Sequence, residues 1–435
     1  MDCIVRLRRP PYNVANRPSS SSQEQSLPRS KYISALDIGT TKVCCVVGEL
    51  TERGLNIVGV GEAPSEGLRR GSVVNMEKTV HSITQAVQGA QRMAGQRVES
   101  AYVGLAGTHV LSQNSRGVVA VSRTDHEIAH ADVTRVIDAA RAVSVPSDRE
   151  IIHVVPRGYV VDGQEGVRDA IGMCGARLEV EAHIVTGALT AVQNVVKCVQ
   201  QAGLSVEDMV VQSLASAEAT LNDNELDLGV ALVDMGGGTT DVAVFVDGSV
   251  LHTAVLPVGA LHVTNDVAIG LRTTLEEAES LKVNYGHTVP SCIPREEMVE
   301  VHQIGTERSQ TVPRRHLAEI IAPRAREILE MVRQEVRRGS RDGYLPAGVV
   351  LTGGGCRLMG MTETAQTTLE LPVRIGTPAG ISGMADRVSG PAYATAIGLL
   401  RWGFNLSHRH NGHAPTHEGV TAVYQRTVTW FREFF

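Results

Sequence analysis

Aromatic side chains are scarce in this 435-residue chain: two Trp, eight Tyr and five Phe make up 3%, so where they sit carries information. Lysine is also scarce, five residues against thirty-six arginines, and each lysine is worth locating. No stretch approaches the roughly 20 uninterrupted apolar residues of a membrane-spanning helix, which excludes a transmembrane bundle. The first ten residues, Met1 to Pro10, hold too short an apolar run for a signal peptide, so the chain is expected to stay in the cytosol. Seven cysteines (3, 44, 45, 174, 198, 292 and 356) form no Cys-x-x-Cys, which predicts buried free thiols and neither a disulfide framework nor a zinc site. A formal net charge of -6 gives no whole-chain reason to expect a nucleic-acid partner. What is present is 43% hydrophobic residues, 20% charged and 43 glycines, a globular composition long enough for two or three packed units.

Residues 1–30 carry four consecutive serines, several prolines and arginines at 6, 8, 9, 17 and 29, with almost nothing large and apolar after Leu7. That composition predicts a disordered tail, with a transit-peptide-like start as the alternative. From Lys31 onward short apolar runs alternate with helical periodicity, the pattern of α/β layering. Tyr32 to Leu36 reads as a buried strand, Val43 to Val47 as its return and Leu55 to Val60 as a third. Val80, Ile83, Val87 and Ala90 share one helical face; Leu189, Val192, Val196 and Val199 share another, with Gly203 placed to stop that helix. Residues 112–178 form a separate block with a helix around Val133, Val136, Ile137 and Ala140, read as an inserted subdomain. Leu228 to Val233 then begins a second strand, Asp, Gly/Thr-turn, strand unit like the first. Two related halves facing each other across a ligand cleft are the expected architecture.

Three glycine-containing loops follow strand ends. Asp37-Ile38-Gly39-Thr40-Thr41-Lys42 can aim backbone N–H groups, hydroxyls and one lysine at phosphate oxygens, while Asp37 suits a hydrated magnesium ion. An ordinary hairpin with an Asx turn would read the same way. Asp234-Met235-Gly236-Gly237-Gly238-Thr239-Thr240-Asp241 spends backbone entropy on three glycines, best explained by close approach of main chain to a ligand. Thr352-Gly353-Gly354-Gly355 follows Val349 to Leu351 and suits an adenine and ribose lying against backbone. Leu275, Ala278 and Leu281 line a helix on which Glu279 and Lys282 are one turn apart, ordinarily a surface ion pair.

In this order and spacing the loops, with Ala278-Glu279-x-x-Lys282, resemble the actin/Hsp70/sugar-kinase ATPase superfamily. Within it, residues 31–435 resemble the FtsA family of bacterial cell-division proteins. Asn114 to Val119, Ile171-Gly172-Met173 and Arg177-Leu178-Glu179 match that family's inserted subdomain. The resemblance implies a duplicated, ribonuclease H-like two-lobe α/β fold. Lobe I would be 31–111 with 179–227, the insert 112–178, and lobe II 228–403, with 290–340 part of its small subdomain. It further implies ATP and Mg²⁺ in the cleft. Asp37, Gly39, Thr40, Thr41, Lys42, Asp234, Gly236, Gly237, Gly238, Thr239 and Thr240 would lie about the phosphates, and Asp37, Asp234 and Asp241 about the metal. Glu279, Lys282 and Gly353 to Gly355 would meet the nucleoside. Two departures from the family pattern stand out. Ala260 replaces a second glycine after Gly259, and Ser213 falls where hydrolysing relatives orient the attacking water, with Glu218 displaced by more than a turn. Slow turnover is the expectation, with ATP setting conformation and polymerisation; no catalytic residue is assigned.

The implied partners are further copies of the chain in an actin-like filament, the tubulin-like division protein FtsZ, later division proteins and lipid, at the cytoplasmic face of the membrane at the division site. Residues 290–340 would receive FtsZ and the insert would contact neighbours. Residues 404–418, polar and rich in histidine, read as a flexible linker. Residues 419–435 hold five of the fifteen aromatics. On a helix, Val420, Val423, Tyr424, Val428, Trp430, Phe431, Phe434 and Phe435 share one broad face, the pattern of an interfacial membrane helix. Docking of that helix on the chain's own core is the alternative. A small-molecule kinase and a pilus-assembly ATPase are the rival functions.

Overall fold

Strands β1 (Tyr32–Ile38), β2 (Lys42–Thr51) and β3 (Gly54–Pro64) form an antiparallel meander. β1 and β2 bury near-continuous apolar runs, the mark of a sheet covered on both faces. The computed structural model describes residues 32–51, 54–305, 309–340 and 343–411, with backbone only for 408–411. After a short hairpin, β4 (Leu68–Arg69) and β5 (Ser72–Val73), helix α1 (Met76–Ala94) starts where the Asn75 side chain accepts from Lys78 N–H and stops at left-handed Gly95. Its buried face is Ile83, Ala86, Val87 and Ala90, with Val80 half-buried, as the three- and four-residue steps require. β6 (Ser100–Leu105) then runs parallel to β1.

The inserted block follows: β7 (Leu111–Ala120), α2 (His130–Arg141), β8 (Arg149–Val161), β9 (Gln164–Val167) and β10 (Arg177–Ala188), with sheet order β7-β10-β8-β9. α2 buries Val133, Val136, Ile137 and Ala140 against that sheet. The sheet runs from Leu111 to Ala188, past the 112–178 limits read from sequence, because β10 continues unbroken into the first lobe. α3 (Leu189–Gln201) buries Val192, Val196 and Val199 and ends as Leu204 N–H bonds back to Val199 across Gly203, and β11 (Ser205–Val211) pairs parallel with β6. The first large sheet is thus ordered β11-β6-β1-β2-β3.

α4 (Gln212–Thr220) is buried on nearly every side and leads to α5 (Asp223–Leu228). Leu228 therefore closes a helix instead of opening a strand. A reciprocal cap between Asn222 and Glu225 nucleates that turn, and Gly229 redirects the chain. β12 (Val230–Met235), β13 (Thr240–Val246) and β14 (Ser249–Leu256) repeat the meander. The small subdomain contains α6 (Ala260–Leu271), α7 (Leu275–Tyr285), β15 (Met298–His302), β16 (Ser309–Pro313) and the long α8 (Arg314–Gly339). β17 (Val349–Thr352), α9 (Met361–Leu369) and β18 (Val373–Ile375) complete the second sheet, ordered β14-β13-β12-β17-β18. Strand for strand this is the topology of the first sheet, with β17 and β18 in the places of β6 and β11.

β19 (Ser382–Gly383) adds to the edge of the first sheet at β3, and α10 (Ala385–Val388) leads to α11 (Ala394–Asn411). α11 crosses α4 so closely that a Cβ on Gly398 would stand 1.7 Å from the Ala215 carbonyl oxygen. The segment from 404 read as a linker is helical as far as Asn411, since α11 continues through it; residues 412–435, and with them the terminal helix expected at 419–435, lie outside the described residues, as does the 1–30 tail. No helix among the described residues is long and apolar enough to cross a membrane.

Candidate functional site

The two hairpin loops meet face to face. Gly39 N–H donates to the Lys42 carbonyl at 3.0 Å and Gly236 N–H to the Thr239 carbonyl at 2.9 Å, the same tight turn in each lobe. A Cβ on Gly237 would lie 2.4 Å from Thr41 Cγ2, and one on Gly238 2.7 Å from Thr40 Oγ1. The glycines are therefore needed because the opposite lobe's threonines occupy the space. Gly259 has the same reason: its Cβ would stand 2.6 Å from the Gly236 carbonyl oxygen. The Ala260 and Leu261 N–H groups donate to the Gly236 and Gly237 carbonyls, so Ala260 leaves the loop seated on the start of α6.

One face of α4 holds both strand-end carboxylates. Gln212 Nε2 donates to Asp37 Oδ1 at 2.8 Å, and Ser216, one turn further on, donates to Asp234 Oδ2 at 2.6 Å. Thr395 at the start of α11 donates to the same Asp234 oxygen at 3.1 Å. The amide near the first carboxylate is thus Gln212, where the sequence register had pointed to Ser213; the Ser213 hydroxyl is buried without a partner. The shift of one residue follows from α4 beginning at Gln212 itself, directly after β11.

Burial governs the electrostatics. Asp37 is pushed up to about 7 by desolvation, against the pull of Lys42 and with a push from Asp234. Asp234 is raised by burial, opposed by its hydrogen bonds from Ser216 and Thr395. Asp241, paired in register with Asp234, is raised well above the carboxylate range by burial and by its neighbours Asp234 and Asp37; its Oδ1 is buried with no partner. Three carboxylates that repel one another out of reach of water call for a cation. Among the described residues no three acidic, His or Cys side chains converge as direct ligands of a metal ion.

Lys42 ion-pairs with Glu62 at 2.9 Å, lies 3.6 Å from the centre of the Tyr393 ring and donates to the Ala392 carbonyl at 3.3 Å, which holds it across the mouth of the first loop. The Thr240 hydroxyl is spent on the Val258 carbonyl and the Thr239 hydroxyl on Asp241 Oδ2. Those two residues shape the loop through side chains turned into the protein. Gly353, at φ +81°, adopts a conformation that glycine tolerates, and its Cβ would stand 2.3 Å from Asp234 Oδ1. Gly355 packs on Met235 and Ala260, and Gly354 is exposed.

Glu279 and Lys282 do pair, at 2.6 Å, with the Glu279 side chain half exposed and Lys282 inside. Lys282 is buried and also donates to Thr264 Oγ1 at 2.9 Å and to the Ala260 carbonyl at 3.3 Å, bracing α7 to the first turn of α6. Leu275, expected on the buried face with Ala278 and Leu281, is 58% exposed as the helix begins at it. Gln212, Ser216 and Thr395 were missed by sequence reasoning; for the two on α4 the series Gln212, Ser216, Thr220 at four-residue steps was the signal there to find. The residues named for lipid, Val420 to Phe435, lie outside the described residues.

The family described as cell division protein FtsA matches residues 231–398, and the SHS2 domain inserted in FtsA matches 107–186. The chain is 45% identical over 379 residues to the cell division protein FtsA of Pseudomonas aeruginosa, covering 87% of this chain and 90% of that protein. It is 43% identical over 415 residues to that of Neisseria meningitidis, covering 94% and 99%. The chain belongs to the FtsA family of cell-division proteins. That of Escherichia coli K12 is 37% identical over 417 residues. Among solved structures, the PilM-PilN type IV pilus biogenesis complex aligns at TM-score 0.63 and 17% identity over 87% of this chain and 99% of that one. MreB5 of Spiroplasma citri bound to AMPPNP aligns at TM-score 0.55 and 14% identity over 89% and 100%. These likenesses establish the actin-like fold, and the family places the chain in cell division.

Proposed function

We propose that this chain is an ATP-binding, actin-like division protein that polymerises and tethers FtsZ to the cytoplasmic face of the membrane at the division site. The observation that carries the reading is the α4 clamp. Gln212 and Ser216 hold Asp37 and Asp234, the corresponding carboxylates of two topologically matched sheets, at the junction of the glycine loops. A magnesium ion supplies charge neutralisation for the phosphates when bound. Asp37, Asp234 and Asp241 would hold it, Gly39 to Lys42 and Gly236 to Gly238 would line the phosphates, and Gly353 to Gly355 with the Glu279–Lys282 brace would face the nucleoside. Gln212 is the group we assign to orienting a water, which removes the sequence-based reason for slow turnover. The fold neighbour MreB5, solved with ADP and with AMPPNP, supports nucleotide in such a cleft.

Calorimetric titration with Mg·ATP tests the site. Binding that weakens at least about 100-fold in Asp234→Ala is the expected result, and no heat from correctly folded wild-type protein overturns the reading. Flotation tests the tether: FtsZ should rise with lipid vesicles when the full chain is present and stay down with a chain lacking residues 419–435. FtsZ floating equally well with the truncated chain removes the anchor role. Later division proteins are proposed partners of the insert by family likeness alone.

A further inference from the structure

A pocket of about 460 Å³ lies away from the nucleotide cleft, where three parts of the molecule meet. β8 of the insert contributes Val155 and Tyr159, the turn between β13 and β14 closes one side, and α11 contributes Trp402 and Leu406. Its size is in the range of pockets that take a ligand or a few side chains, and its lining mixes apolar surface with a few charges. Arg157, which lines it, buries its Nε without a hydrogen-bond partner. An unpaired buried guanidinium nitrogen is costly, and a carboxylate brought into the pocket would relieve it.

We infer that this pocket seats the apolar face of residues 420–435 of the same chain when that segment is not on lipid. The inference rests on the lipid-binding reading of that segment. Two observations name the occupant. The first is reach: α11 lines the pocket at Leu406 and is followed to Asn411, five residues or about 8 Å of helix further on. From Asn411 to Val420 is nine residues, able to span up to about 30 Å. A segment tethered that closely is present at an effective concentration on the order of 1 mM, so an intrinsic dissociation constant as weak as about 1 mM leaves the pocket half filled. The second is chemical match. Trp430 and Phe431 suit the apolar lining at Trp402, and Glu433 would offer an acceptor to Arg157 Nε, the guanidinium nitrogen left over by the Arg157 Nη1 pair with Glu181 at 3.2 Å.

Docking of this kind withholds the segment from lipid. If the seated form makes up about 90% of the chain, apparent lipid affinity falls about tenfold. Assembly that presents many segments together would overcome this, so that single chains stay off the membrane and polymers bind.

Trp402 and Trp430 are the only tryptophans, so Trp402→Phe leaves Trp430 as sole reporter. In that full-length background without lipid, Trp430 should emit as a shielded indole and resist acrylamide quenching. Gly158→Phe fills the pocket, since a Cβ there meets only the Val167 carbonyl oxygen at 3.9 Å. It should raise the quenching constant about two- to fourfold. Leu406→Ser, at the half-buried rim, should do the same independently should the first variant misfold. Both should lower the lipid needed for half flotation several-fold, up to the tenfold derived above, on phosphatidylethanolamine vesicles with about a quarter phosphatidylglycerol. Trp430 equally quenchable in the parent and both variants overturns the inference, even if all three float, and the lipid reading would then survive alone. Protected Trp430 released by the variants, with no flotation of any form, leaves the docking standing and removes the lipid reading.

Discussion

The two lobes carry the same hairpin, with Asp and its partner seven positions apart, yet they fill it differently. In lobe I, Asp37 faces Cys44 across the ladder and Lys42 stands beside it. In lobe II, Asp234 faces Asp241, and three glycines take the place of side chains in the turn. Lobe I thus brings one carboxylate with a cation, and lobe II brings two carboxylates with bare backbone. A duplicated fold gives two equivalent turns, but the proposed ligand, a triphosphate with one metal ion, is not symmetric, and on that proposal the division of charge has a reason. The shared helix α4 treats the lobes unequally as well, giving an amide to Asp37 and a hydroxyl to Asp234.

Making the lobes alike should be the most damaging change. Cys44→Asp copies the lobe II pair into lobe I, where Cys44 is fully buried and its thiol is already pushed well up by burial. A second carboxylate there has no hydrogen-bond donor, and the expected cost is about 3–5 kcal/mol of unfolding free energy, measured by denaturant titration. A loss under about 1 kcal/mol would mean that lobe I tolerates the lobe II charge pattern. Gln212→Ala tests the unequal use of α4. ATP turnover should fall about 10- to 100-fold while nucleotide affinity moves less than about threefold; unchanged turnover removes Gln212 from the chemistry.

Asp241→Asn makes lobe II more like lobe I and should raise stability in the absence of nucleotide. It removes a carboxyl that burial and its neighbours Asp234 and Asp37 hold protonated, a cost at neutral pH that Asn does not carry, while keeping the shape, and a gain of a few degrees in Tm by calorimetry is expected. The same substitution should weaken the magnesium dependence of ATP binding about tenfold. A lower Tm would show that the protonated Asp241 carboxyl makes a hydrogen bond that Asn does not replace.

What the sequence showed of this comparison, and what it hid, divides along contact distance. The hairpins were legible because each is local: an apolar strand, an Asp, a glycine turn and a return strand lie within about twenty residues. The duplication was legible for the same reason, since it repeats a local pattern. Gln212 was hidden because its partner Asp37 is 175 residues away, and a helix start one residue off changes which side chain arrives. Lys282 was misread as surface because a Glu and Lys three apart look the same on an exposed helix as on one pressed against α6. Thr240 read as a ligand hydroxyl, whereas its bond to the Val258 carbonyl depends on the chain after β14 passing beneath the turn.

The smallest effect separates the lobes by proton count. The carboxyl of Asp37 titrates near 7 in the folded chain against an ordinary value of 3.8. Between those limits the folded state binds a proton that the unfolded state has released, so stability contributed by this group declines as pH rises through that window and is lowest above it. A bound cation reverses the preference by favouring the charged form, and Mg·ATP binding must then expel the proton. At pH 6.5 this group alone should release roughly 0.8 proton per site, and at pH 8 roughly 0.1. The release appears as a binding-enthalpy difference between phosphate and Tris buffers, and the share of it that belongs to Asp37 shrinks from the lower pH to the higher. Asp37→Asn should remove the difference that titrates near 7, leaving what Asp241 contributes. Equal enthalpies in both buffers at pH 6.5 would place Asp37 charged before the ligand arrives, with Lys42 outweighing burial.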